Sequence, residues 1–273
     1  MLIHFGYEII FNLPQSIPLL LKLYTHPSVA DKLKQPEQLQ LWPNTDFNEF
    51  YDDFGNRCVR VLAPQGQLRI WNDAVIEDSG RPDVVDQTAQ QISAFDLPSS
   101  TLQYLLNSRY CEVDLLSDAA WNLFGDLPPG WSRVQAICDW VHTHVRYGYG
   151  ESHPSKTASE VFATRTGVCR DFAHLAIAFC RCLNIPARYA SGYLGDIGVP
   201  AQPRPIDFHA WFEAFIGGQW HTFDARHNQP RIGRILMARG RDATDVALST
   251  SFGTAKLEKF KVWTEALSPA LTH

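Results

Sequence analysis

Residues 207–224, DFHAWFEAFIGGQWHTFD, restrict the fold more tightly than any other stretch of the chain. Phe208, Ala210, Phe212, Ala214 and Ile216 alternate with His209, Trp211, Glu213 and Phe215. Gly217-Gly218 follows, and then a second β-rich run, QWHTFD. Two alternating runs about a pair of glycines make a hairpin with a two-residue turn. Such a turn sets the register, so Ile216 faces Gln219, Trp211 faces Asp224 and His209 faces Arg226. Opposed residues project to the same side of a sheet. His209 and Asp224 therefore share a face, one diagonal step apart, about 7–8 Å at the backbone. Asp207 lies on that face too and is the competing carboxylate. Glu213 is about 13 Å along the strand, and His221 falls on the opposite face.

Upstream, TRTGVCRDFAHLAIAFCRCLNIP carries a helical stripe at Phe172, Ala176, Phe179 and Leu183, ended by Pro186. Cys169 stands three residues before Phe172, at the head of this helix and on its inward face. A helix N-terminus offers free N–H groups and a partial positive charge. Both stabilise a thiolate, and the same N–H groups can receive a developing oxyanion. Gly167 allows a tight turn before the helix and close access to the sulfur. The other five cysteines (Cys58, Cys111, Cys138, Cys180 and Cys182) have no such setting, and no pair has C-x-x-C spacing. A thiol nucleophile, a histidine base and a carboxylate that orients the ring form the set required for acyl transfer.

The rest of the chain is read as scaffold. Residues 1–95 hold strand signals in LIHFGYEIIF, IPLLLKLYT, NRCVRVLAP and QLRIWNDAVIED, with turns at residues 12–14, 54–56 and 64–66. This spacing predicts an N-terminal β-sandwich domain. FDLPSS, residues 95–100, reads as a linker, and residues 96–273 as a separate α+β core. Helices are predicted at TLQYLLNS, at WSRVQAICDWVHTHV and at TASEVFATRTG. The last has Thr157 or Ser159 as N-cap and Gly167 as stop. His142 and His144 splay apart on a helix and do not suggest a metal site.

Composition excludes several classes. With 24 basic against 29 acidic residues the net charge is −5, so no basic nucleic-acid surface is expected. No window has the 18 or so apolar residues of a membrane span. The N-terminus lacks a basic leader, so a cytoplasmic location with reduced cysteines is expected. Eight Trp, nine Tyr and sixteen Phe allow a core without disulfides.

The segments TRTGVCRDFAHLAIAFCRCLNIPARYASGY, DFHAWFEAFIGGQWHTFDARHN and RIGRILMARGRDATDVALSTSFG together resemble the transglutaminase-like superfamily, in its bacterial cytoplasmic branch. The first hundred residues resemble that branch's N-terminal β-domain, including Phe54-Gly55-Asn56. The resemblance implies a papain-like α+β core with a helix-borne Cys packed on an antiparallel sheet. It carries the family's Cys, His and Asp onto Cys169, His209 and Asp224. Members with a Trp oxyanion donor hold it on the segment that is RYGYGES here, which makes Tyr147 the nearest equivalent and Tyr149 the alternative. No calcium-type acidic cluster, metal or cofactor is implied. The implied partner is a protein or peptide substrate. The expected function is thiol acyl transfer on peptide or side-chain amides, as a cysteine protease or amidase. A transglutaminase using an amine acceptor, and a non-catalytic binding module on the same scaffold, are the alternatives.

Overall fold

The computed structural model describes residues 1–201 and 206–267. Six strands come first: β1 (Leu2–Leu13), β2 (Ile17–Leu21), β3 (Gln40–Trp42), β4 (Phe47–Tyr51), β5 (Arg57–Ala63) and β6 (Gly66–Glu77). In β1 Ile3, Phe5, Tyr7, Ile9 and Phe11 are buried, while His4, Glu8 and Asn12 are not. That period of two gives the strand one core face and one polar face. After an irregular connection come α1 (Ser99–Leu102), α2 (Val113–Phe124) and α3 (Trp131–His144). Then follow β7 (Arg146–Tyr147), α4 (Ala158–Thr164), β8 (Thr166–Gly167) and α5 (Cys169–Cys182). The antiparallel sheet of the core is built from β9 (Ala187–Leu194), β10 (Phe208–Ile216), β11 (Gln219–Phe223) and β12 (Arg234–Gly240), in the order β11-β10-β9-β12. Helix α5 packs on β9 and β10. The fold is α+β.

The last two strands return to the beginning of the chain. β13 (Ser249–Ser251) pairs with β2, and β14 (Lys256–Leu267) runs antiparallel along the whole of β1. The sandwich sheets are therefore β14-β1-β6-β3 and β13-β2-β5-β4. The sequence places everything after residue 95 in the core, whereas backbone pairing puts residues 249–267 in the sandwich. The two layers also share an apolar seam. Tyr193 of β9 and Ile235 and Met237 of β12 pack into the sandwich core with Ile3, Phe5 and Tyr7. Asn56 adds a polar latch. Its amide donates to the Arg239 carbonyl (2.7 Å) and accepts from the Arg239 N–H (2.8 Å).

Three local expectations change. The sequence reading has no element over residues 113–124, yet α2 forms there and buries Leu116, Ala120 and Phe124, four residues apart. Helix α4 begins after Thr157, but the capping bond comes from elsewhere: the Glu112 carboxylate accepts the Ser159 N–H at 3.0 Å. The helix stops at Arg165, in the left-handed region with φ 57°, rather than at Gly167.

Candidate active site

Cys169 is the first residue of α5. The short parallel pairing of β7 with β8 holds the chain just before it, with Tyr147 opposite Gly167. The Asp171 carboxylate reaches back to accept the Val168 N–H at 2.9 Å, an acidic group serving the helix N-terminus. This contact explains Gly167. A Cβ there would come within 2.6 Å of the Asp171 Cβ, so the glycine makes room for the cap.

Cys169 is partly exposed, and the other five cysteines are buried. Burial pushes their thiols up, those of Cys111 and Cys182 to about 12. Those five are inert at neutral pH.

The hairpin has the register that a two-residue turn requires, with Ile216 opposite Gln219 and Phe212 opposite Phe223, but the pairing ends there: residues 225–227 turn away, so Trp211 and His209 do not face Asp224 and Arg226 as strand partners. The His209 Nε2 lies 2.8 Å from the Asp224 Oδ2. Cys169 stands beside the same imidazole, the two lining one cleft together. Asp207, the competing carboxylate, accepts its neighbour's N–H from Phe208 at 2.6 Å. Burial alone would lower the His209 pKa, but the Asp224 carboxylate and the Cys169 sulfur lift it to about 9. Burial would likewise raise Asp224, yet His209 and Arg234 hold it well below the usual carboxylate range.

Sequence reasoning missed Arg234. Its guanidinium donates to the Asp224 Oδ2 at 2.8 Å and to the Asp83 Oδ2 at 2.8 Å. Asp83 belongs to the connection leaving the sandwich, and it also accepts the Arg231 N–H at 2.9 Å. The other Asp224 oxygen accepts the N–H groups of Arg226 and His227, both at 3.0 Å. Asp224 thus has four donors around it. The one sequence signal for Arg234 was parity: Ile235 and Met237 face the sandwich, which leaves Arg234 on the face of β12 that looks toward Asp224. Asp83 gave no signal, because a loop residue has no register from which to infer its partner.

His227 also stands near, its ring 4.9 Å from that of His209, and burial pushes its pKa down to about 3. His209, Asp224 and His227 bring three ligand-type atoms within 4.8 Å of one another. The Arg234 cation on the Asp224 oxygen and its two backbone donors oppose a metal ion at that point.

Two clefts meet at the Cys169–His209 pair. One, of about 150 Å³, is lined by Tyr147, Tyr149, Asp196, Asp207 and His227. The Tyr147 ring there lies 3.9 Å beneath the Arg226 guanidinium and 5.6 Å from the Tyr149 ring. Both tyrosines singled out in the sequence thus border the sulfur's cleft. The second cleft, of about 600 Å³, shares Cys169, Asp207, Phe208 and His209 with the first. Among the described residues, no helix is long and apolar enough to cross a membrane.

Comparison with known proteins identifies relatives of this fold. The model of the transglutaminase-like superfamily matches residues 122–225, an interval that contains Cys169, His209 and Asp224. A crystal structure named "Putative Cysteine Protease from Cytophaga hutchinsonii" is 31% identical and superposes with a TM-score of 0.86 over 100% of this chain and 92% of that one. An uncharacterized protein of Mycobacterium leprae is 27% identical over 206 residues, 72% of this chain and 73% of its own length. One from Mycobacterium tuberculosis is 28% identical over 214 residues, 71% and 68% of the two chains. With its α+β architecture and a full-length match to a solved relative, the chain belongs to the transglutaminase-like superfamily.

Proposed function

We propose that the protein is a thiol acyl-transfer enzyme that acts on peptide or side-chain amides, with Cys169, His209 and Asp224 as its catalytic residues. The observation that carries this reading is one arrangement: a helix-heading, partly exposed cysteine in one cleft with an imidazole that is itself held by a buried carboxylate. The Cys169 sulfur attacks the amide carbonyl and forms a C–S bond. The carbonyl oxygen takes up negative charge, which the N–H groups at the head of α5 and the Tyr147 hydroxyl receive. As the C–N bond breaks, protonated His209 gives its proton to the leaving amine. A thioester remains. Water then attacks it with His209 as base, the C–S bond breaks, and acid and thiol are released. Asp224 keeps the ring in the useful tautomer and stabilises its charged form.

Hydrolysis is the favoured outcome, which makes the protein a cysteine protease or amidase. The name of the Cytophaga relative supports that choice. The test is to incubate the protein with a peptide library, with and without a primary amine, and to read products by mass. Cleavage or deamidation that is lost in Cys169→Ala is the expected result. Amine incorporation in preference to hydrolysis would identify a transglutaminase instead. No product in either mixture would favour a binding module on this scaffold.

A further inference from the structure

The second cleft at the catalytic pair differs in character from the first. Its walls include Tyr189, Phe208, Val246, Leu248, Leu257 and Phe260, and its volume of about 600 Å³ is in the range of ligand sites. Its apolar walls come from separate parts of the chain, with Tyr110, Pro154 and Arg170 completing the lining. β9 and β10 supply Tyr189 and Phe208, the connection after β12 supplies Val246 and Leu248, and β14 brings Leu257 and Phe260 across from the sandwich. Phe260 meets Phe208 edge-on at 5.7 Å, so the junction between sandwich and core is itself apolar. Yet Leu257 is 51% exposed and Phe260 39% exposed. Large apolar side chains left open to water beside a reactive centre lose the free energy that burial would give, unless something covers them. Cys169 and His209 are part of the chamber's lining, so a substrate held at the sulfur lies beside it.

Resting on the function proposed above, we infer that this chamber is a substrate subsite for a bulky apolar side chain next to the reacting amide. The occupant is a peptide bearing Leu, Ile or Phe at that position. The edge strand of the sandwich would then select substrate as well as close a sheet.

The test reads protection of Cys169, so it needs no knowledge of the natural substrate. Iodoacetamide alkylation of each cysteine is followed by mass spectrometry in the presence of acetylated tripeptide amides, Ala-Xaa-Ala, with Leu, Phe or Gly at the centre. The Leu and Phe peptides should protect Cys169 at a concentration roughly tenfold or more below that needed for the Gly peptide. Leu257→Asp, a substitution at a half-exposed site, should abolish that difference. Leu62→Asp, on β5 and outside the cleft, should keep it. If Cys169 reacts faster than the other cysteines but the three peptides protect alike, or if the preference survives in Leu257→Asp, the subsite is refuted while the nucleophile stands. If Cys169 reacts no faster than the buried cysteines, the proposed function fails, and the subsite with it.

Discussion

The arrangement around His209 depends on charges that cannot be exchanged one at a time. Asp224 is buried and serves two cations, protonated His209 and Arg234. Removing one partner of a buried set leaves an uncompensated charge. Arg234→Met should therefore cost on the order of 3 kcal/mol in urea unfolding, since it strips both Asp224 and Asp83 of a cation. A loss under about 1 kcal/mol would show that water replaces the guanidinium freely. The pH dependence has a definite sign. The His209 pKa is about 9 in the fold against about 6.5 in the unfolded chain. Its contribution to stability is fully present below pH 6.5 and disappears as the pH rises through 9. Thermal unfolding should show wild type losing stability over that window relative to His209→Gln, and parallel curves would contradict the assignment. Acyl transfer should fall over the upper part of the same window, because the leaving amine needs the His209 proton. At this scale much was legible. Parity about Gly217-Gly218 brought His209 to Asp224, and the helix start singled out Cys169. Arg234 had only the alternation of β12 to mark it, and Asp83 was not legible, because its meeting with Arg234 depends on the path of a loop.

Among elements, hairpins and long amphipathic helices declare themselves locally, whereas contacts between layers do not. α3 and α5 follow from their apolar periodicity. α2 buries Leu116, Ala120 and Phe124 at the same four-residue spacing, but Leu115, Trp121 and Leu123 lie exposed on the same helix and blur the periodicity. α4 illustrates the limit: its N-terminal cap comes from Glu112, which lies 47 residues away from Ser159. The Phe54-Gly55-Asn56 turn illustrates it further. In sequence it is only a turn, but in the fold Asn56 acts as one more strand residue against Arg239. The Asn56 side chain is fully buried and also donates to Asp52 at 3.0 Å. Asn56→Ala should destabilise the protein by about 2 kcal/mol by leaving the part-buried N–H and carbonyl of Arg239 without the Asn56 amide. Denaturant midpoints would measure this, and an unchanged midpoint would mean the latch contributes nothing.

The whole molecule is not two beads on a string. β14 makes β1 a central strand, and β9 and β12 share the sandwich's apolar core. The sequence suggested a simple division near residue 95 because composition changes there. What it could not show is that the chain crosses back, since pairing between residues some 250 apart leaves no local mark. Deleting residues 256–273 should therefore expose the edge of β1 and its apolar neighbours. The expected product is aggregated or unfolded by gel filtration and circular dichroism. A soluble truncated monomer with intact far-UV signal would contradict this account of the sandwich. The closed sandwich also steadies the catalytic end: Asp83 leaves it to hold Arg234, and Phe260 forms part of the cleft.

The claim on which the rest depends is that Cys169 is an activated nucleophile, and one measurement addresses it directly. Site-resolved alkylation by iodoacetamide at pH 7 should label Cys169 at least about tenfold faster than Cys58, Cys111, Cys138, Cys180 or Cys182, because burial keeps those five thiols protonated. The advantage should shrink in His209→Gln. Equal labelling of all six cysteines, or a Cys169 rate unaffected by loss of His209, would contradict the account.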